Sequence, residues 1–92
     1  MIRALVLYDR EPDAQRYAEH VEVAHRVPAD SFRHGRIFGA PMGEPKHAYF
    51  AEFEWVDRGA FDRAMQSPEW LDSGRDGMGM GIPFTVEFAE LD

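Results

Sequence analysis

The chain has 92 residues, of which 45% are hydrophobic, and carries ten basic against seventeen acidic side chains for a net charge of -7. That length makes one domain, spanning residues 1–92. The acidic balance argues against nucleic acid, whose phosphates need Lys and Arg, and against anionic membrane surfaces. There is no cysteine, so disulfides and thiolate metal sites are excluded.

No apolar run approaches the roughly 20 residues of a membrane span. The N-terminus begins as a strand and lacks a signal-peptide layout, so a cytoplasmic protein is expected. A domain this small buries only about 60–65% of its unfolded surface. Two Trp, three Tyr and seven Phe are a rich supply for such a core. Some of that apolar surface is therefore expected to serve a second subunit.

Ile2 to Tyr8 is β-rich and apolar and predicts a buried first strand. Asp9-Arg10-Glu11-Pro12-Asp13 is a turn that opens the first helix, with Pro12 and acids suited to a helix start. Ala14, Tyr17, Ala18, Val21, Ala24 and His25 follow the spacing of one helical face. The helix is expected to end near Arg26, ahead of Pro28. At about 100° per residue, His25 falls within roughly 40° of the centre of this stripe and His20 roughly 100° from it. The phase thus points His25 inward and leaves His20 at the rim.

Phe32 to Ala40 reads as a second strand, followed by the hairpin-type loop Pro41-Met42-Gly43-Glu44-Pro45. His47 to Trp55 is the strongest strand: Tyr49, Ala51, Phe53 and Trp55 share one face, Ala48, Phe50, Glu52 and Glu54 the other. Asp57 to Gln66 is a second helix, and Ser67-Pro68-Glu69 restarts a short helical piece with Ser67 as N-cap. Ser73 to Gly81, rich in glycine and methionine, reads as a loop. Ile82 to Leu91 is the last strand, with Phe84, Val86 and Phe88 alternating with Thr85, Glu87 and Ala89.

The order is β-α-β-β-α-β, the α+β ferredoxin-like pattern, with a four-stranded antiparallel sheet and both helices on one face. Strands three and four are apolar on both faces. Two such sheets packed face to face would form a dimeric α+β barrel, and a homodimer is expected.

His25 is the candidate general base or acid, since an ionisable group on a buried face is costly without a partner and imidazole titrates near neutrality. Glu52, mid-strand, could orient a histidine or pair with an arginine such as Arg3 or Arg36. Tyr17, Tyr49, Phe53, Trp55 and Trp70 could shape a pocket for a flat hydrophobic ligand, though such stripes also serve as plain core. His34 and His47 form no close ligand pair with His25, and no metal is expected. Gly77-Met78-Gly79-Met80-Gly81 opens no helix after a strand and has no following lysine, so it is not a phosphate cradle. It suits a pocket lid or a mobile connection. No Gly-x-Ser-x-Gly or other nucleophile motif is present.

Four stretches in the right order resemble the EthD family of dimeric α+β barrels. They are Ile2-Arg3-Ala4-Leu5-Val6-Leu7-Tyr8, Tyr17-x-x-His20-Val21-x-x-x-His25 with Pro28 beyond, Tyr49-Phe50-Ala51-Glu52-Phe53-Glu54-Trp55, and Ala60-Phe61-x-x-Ala64-Met65-x-Ser67-Pro68-Glu69. The family often has a tyrosine where Val21 stands. The resemblance implies a small, cofactor-independent, oxidoreductase-like enzyme of proton-transfer, cyclase/isomerase or monooxygenase type. Its ligand would be a hydrophobic aromatic or polyketide-like molecule. His25, Tyr17 and Glu52 would be catalytic, and Tyr49, Phe53, Trp70 and His20 would contact substrate. The inward phase of His25 puts the expected cavity between the first helix and the sheet, lined by His25, Tyr17 and several aromatics. The alternative is a non-catalytic small-molecule-binding or accessory protein of an oxidative degradation pathway.

Overall fold

The computed structural model describes all 92 residues. Its elements are β1 (Ile2–Tyr8), α1 (Ala14–Ala24), β2 (Ser31–Arg36), β3 (Tyr49–Trp55), α2 (Arg58–Met65), α3 (Pro68–Gly79) and β4 (Phe84–Glu90). The strands form one antiparallel sheet in the order β2-β3-β1-β4, with ferredoxin-like topology. Tyr8, Val6, Ala4 and Ile2 of β1 pair with Tyr49, Ala51, Phe53 and Trp55 of β3, and Val6 pairs with Val86 of β4. Period-2 alternation therefore sends one apolar set to one side, where all three helices lie. Trp55 sits at the centre, buried, with its ring against Phe61 and Trp70 and its Nε1–H donated to the Pro28 carbonyl at 2.6 Å.

Each helix starts where its sequence supplies a cap. Asp13 accepts from Arg16 N at 3.0 Å, Asp57 from Ala60 N at 2.8 Å and Ser67 from Trp70 N at 3.2 Å, which satisfies amides that the helix cannot pair internally. No helix is long and apolar enough to cross a membrane.

Three expectations change. The segment Ser73–Gly81, expected as a loop, is helical to Gly79, so the order is β-α-β-β-α-α-β. Glycine costs about 1 kcal/mol against alanine inside a helix, and Gly74 and Gly77 together argue against one by propensity. Tertiary packing overrides this, because Gly77 is where α3 lies close to α1. A Cβ there would stand 3.6 Å from the His20 ring. The second strand ends at Arg36 rather than Ala40. Ile37 N still bonds the Ala48 carbonyl at 2.9 Å, but the chain then turns away through Pro41 and Gly43, the latter at φ 71°. Prolines without an N–H and a left-handed glycine do not extend a ladder. The third strand accordingly begins at Tyr49 rather than His47.

The other side of the sheet is open and mixed. Leu5, Leu7 and Phe50 form an apolar half. Arg3 pairs with Glu54, Ser31 Oγ donates to Glu54 at 2.9 Å, and Arg33 reaches Glu52 at 2.8 Å and Glu54 at 3.1 Å. The Glu54 carboxyl is held below its usual range, first by its hydrogen bond from Arg3 and then by Ser31.

Trp55→Ala is expected to destabilise the fold by about 3–5 kcal/mol, the range for emptying an aromatic core position. Urea denaturation followed by circular dichroism measures it.

Candidate active site

One cavity lies under α3, on the helix side of the sheet. It has a volume of about 60 Å³ and is walled by Phe53, Trp70, Phe84 and Val86, with His20 and Ser73 as its polar members. His20 is 5% exposed and Ser73 7%.

His20 enters from α1, and its Nδ1 lies 2.8 Å from Asp76 Oδ2 on α3. Arg16, one turn earlier on α1, clamps the same carboxylate: its NH2 lies 3.0 Å from Asp76 Oδ1 and its NH1 3.2 Å from Oδ2. The Asp76 carboxyl is held below its usual range, chiefly by the Arg16 hydrogen bonds against an opposing effect of burial, with His20 adding to the pull. An ionised carboxylate only accepts, so Nδ1 donates to Asp76. Nε2 makes no hydrogen bond within the chain, and in a neutral imidazole it is the nitrogen that carries the lone pair. This is the arrangement of a general base oriented by a carboxylate.

A second cavity of about 340 Å³ lies on the opposite flank of α1 and is walled by Tyr17, Ala18, Val21, His34 and Tyr49, with Glu11 at its rim. Tyrosines form the partition between the two cavities. Tyr8 lines the first and meets Tyr17 edge-on at 5.9 Å between ring centres; Tyr17 meets Tyr49 at 5.0 Å. Burial pushes the Tyr8 hydroxyl up to about 12. Burial likewise drives the Tyr17 hydroxyl upward, with the Tyr8 and Tyr49 hydroxyls adding to the shift. Tyr17 Oη is sealed from solvent and makes no hydrogen bond, which costs about 1–3 kcal/mol for a buried hydroxyl. His34 Nδ1 lies 3.3 Å from Tyr49 Oη, and burial lowers the His34 pKa, with His25 contributing.

The structure corrects the placement of three site residues. His25, expected to point inward, is the exposed C-cap of α1. It meets Phe32 edge-on at 5.0 Å between ring centres and lines neither cavity. The inward histidine is His20. The buried side of α1 is marked by Tyr17, His20 and Ala24, whereas Ala14 and Ala18 are exposed. At 100° per residue, the stripe that counts Ala14, Ala18, Val21 and His25 as apolar and leaves out His20 centres about 70° from the buried side, enough to exchange the two histidines. Glu52 lies on the open face of the sheet, paired with Arg33 and, at 3.7 Å, with Arg3. It is therefore on the far side from Tyr17 and His20 and orients no histidine. Arg36 instead faces Glu11 at 3.9 Å.

Of the expected substrate contacts, His20, Phe53 and Trp70 share the first cavity, and Tyr49 joins Tyr17 in the second. Trp55 is core. Sequence reasoning missed Asp76 and Ser73, both in the stretch read as a loop. The one available signal was the Arg16/His20 pair, four apart on one side of a helix, which invites a carboxylate. No three His, Asp or Glu side chains converge as a metal-binding group.

No protein-family model matches the chain, and no protein of curated function is similar enough to count as a relative. Solved structures do match. An EthD family protein from Bacillus halodurans superposes with a TM-score of 0.80 at 28% identity, over 100% of this chain and 99% of that one. A dimeric ferredoxin-like protein from Jannaschia gives 0.69 at 21% identity, covering 98% of each chain. SnoaB, a cofactor-independent oxygenase from Streptomyces nogalater, gives 0.58 at 16%, over 98% of this chain and 91% of that one. The chain thus has an EthD-like, ferredoxin-like fold, as its four sequence stretches implied.

Because the folded-state pKa of Asp76 is depressed, the folded chain holds fewer protons than the unfolded one across the gap between the two values. Stability from this carboxylate is complete above the ordinary Asp range and is lost as pH falls through the lowered folded value. Asp76→Asn is expected to cost about 1–3 kcal/mol at pH 7 and to flatten the acid limb of stability against pH. Thermal melts from pH 7 to pH 2 on both proteins check it.

Proposed function

We propose that this chain is a small cofactor-independent enzyme of proton-transfer type, acting on a hydrophobic aromatic or polyketide-like molecule on the helix side of its sheet. The observation that carries this is His20, buried at a cavity with Nδ1 fixed on an ionised Asp76 and Nε2 unengaged. In this reading Nε2 takes a proton from bound substrate. Asp76 steadies the imidazolium that forms, and Arg16 keeps Asp76 ionised and in place. Tyr8 presents a neutral hydroxyl to this cavity, since burial opposes its ionisation, and Tyr17 backs it as the partition. Phe53 and Trp70 hold the substrate in a site from which water is largely excluded, where a positioned base acts most strongly. Similarity to a cofactor-independent oxygenase supports the enzyme class through fold alone.

The proposal includes a homodimer, packed through the open sheet face. Leu5, Leu7 and Phe50 supply its apolar part. The Arg3, Arg33, Glu52 and Glu54 cluster is charge-balanced within one chain, which lowers the cost of covering it. The expected interface is about 1,600 Å² or more. Sedimentation at micromolar concentration should give a dimer, and Leu7→Arg should give a folded monomer. A stable wild-type monomer counts against this assembly.

With a turned-over substrate in hand, His20→Ala should lower the rate roughly 10²–10⁴-fold, the usual contribution of a positioned proton-transfer group. His25→Ala should change it less than about threefold. Thermal midpoints measured alongside separate lost chemistry from lost fold. Tight ligand binding without turnover by the purified wild type would favour the binding or accessory role instead.

A further inference from the structure

A proton-transfer histidine in the first cavity leaves the second, larger one without a role. Three rings come together in its wall, from Tyr17, His34 and Tyr49. His34 and Tyr49 sit on the neighbouring strands β2 and β3 and point to the same side of the sheet, since His34 pairs with Ala51. Their ring centres are 6.2 Å apart and their planes differ by only 30°, so they make a floor. Tyr17 stands on that floor from α1, at 72° to Tyr49 and 66° to His34, with centres 5.0 and 5.3 Å away. The rest of the helical wall is Ala14, Ala18 and Val21, which are too small to fill the angle between floor and wall. The open space of about 340 Å³ falls within the roughly 300–1,000 Å³ of small-molecule sites.

The charge of the lining selects the charge of an occupant. Tyr17 is kept neutral by burial. Burial, with His25, lowers the His34 pKa, so at pH 7 this residue adds a ring and not a cation. Glu11 is the one charged group in the lining. Its partner Arg36 stands outside the lining at 3.9 Å, and with side chains 55% and 66% exposed the pair is weak and readily exchanged. The start of α1 would favour an anion through its free amides, but Asp13 already caps it. An anion entering this space therefore meets Glu11 and no cation in the wall. A neutral molecule leaves Glu11 unused. A cation meets three aromatic rings, Glu11 at the rim and a chain of net charge -7.

We infer that the second cavity binds a small organic cation with a methylated ammonium head, seated in the corner between Tyr17, His34 and Tyr49 with Glu11 at the rim. The methyl groups are part of the argument. A bare ammonium is compact and strongly hydrated, and a wall of rings and alanines cannot replace its water. Methyl groups spread the charge over a larger apolar surface, which rings attract and which packs on Ala18 and Val21. Arg36 gives up its loose contact and returns to solvent while the ligand takes its place beside Glu11. Binding makes and breaks no covalent bond. The site lies across the tyrosine partition from His20, and it stands or falls independently of the acid–base reading of that residue.

The test is calorimetric binding of choline against 3,3-dimethylbutan-1-ol, the same shape with carbon in place of the charged nitrogen. Choline should bind at least about tenfold more tightly, the scale of cation–ring attraction in a partly desolvated corner. In a choline titration followed by NMR, the ring signals of His34 should move and those of His20 should stay. Tyr49→Leu should weaken choline about three- to thirtyfold, whereas Tyr49→Phe, which keeps the ring, should change it less than about twofold. Glu11→Gln, at an exposed position, should weaken it about two- to fivefold. Thermal midpoints of the variants, measured alongside, separate a lost site from a lost fold. Equal affinity for the two compounds overturns the inference and makes the cavity a plain apolar pocket. Absence of binding at millimolar choline, unchanged affinity in folded Tyr49→Leu or Glu11→Gln, or movement of the His20 signals in place of His34 overturns it as well.

Discussion

One carboxylate organises the helical layer. Asp76 receives two cationic or polar arms from α1, Arg16 and His20, and by doing so fixes how α1 lies along α3. The two helices meet where Gly77 faces the His20 ring, with 3.6 Å from that ring to where a Cβ would stand. Remove that approach and the glycine-rich C-terminal half of α3 loses the packing that makes it helical. Remove the carboxylate and His20 keeps its burial but loses its only intramolecular partner, a costly state for a polar ring. The same contact that closes the fold therefore sets the tautomer and direction of the one buried imidazole. Stability and chemistry are not separable at this point of the molecule.

The sheet divides the remaining work between its faces. Toward the helices it presents an almost wholly apolar surface, and the cavity there has His20 and Ser73 in its wall. Away from them it presents a band of leucines and a phenylalanine beside an internally neutralised Arg/Glu cluster. The register makes this division sharp. A slip of one residue in the β1–β3 pairing would exchange Glu52 and Glu54 with Phe53 and Trp55, burying two carboxylates and exposing two aromatic rings. Such a strand is pinned by its pattern. This is also why Glu52 and His20, both attractive as ionisable groups, never meet.

That pattern explains what was legible. Strands β1 and β3 and helix α2 carry unambiguous periodicity and capping residues, and they stand within a residue or two of where the sequence puts them. The fold class follows from their order. The Ser73–Gly81 stretch was opaque because its packing partner is α1, 56 to 60 residues earlier in the chain, and local glycine content points away from a helix. Asp76 and Ser73 were hidden with it. Half of the candidate site was thus invisible to any reading that weighs each segment by its own composition.

The exchange of His20 for His25 has a different origin and a structural meaning. The apolar stripe of α1 is broader than the strip of sheet beneath it. Tyr17, His20 and Ala24 occupy the buried side, while Ala14, Ala18 and Val21 pass over the edge and wall the second cavity beside His34 and Tyr49. The surplus is made of small residues, so the helix flank there is shallow and the cavity beside it is the larger of the two near α1. An amphipathic helix whose apolar arc exceeds its packing contact has a remainder to cover. Here part of that remainder faces an aromatic-walled space instead of the core. The breadth that misdirected the phase is thus the feature that gives α1 a cavity on each flank, with the hydroxyls of Tyr8 and Tyr17 as the partition.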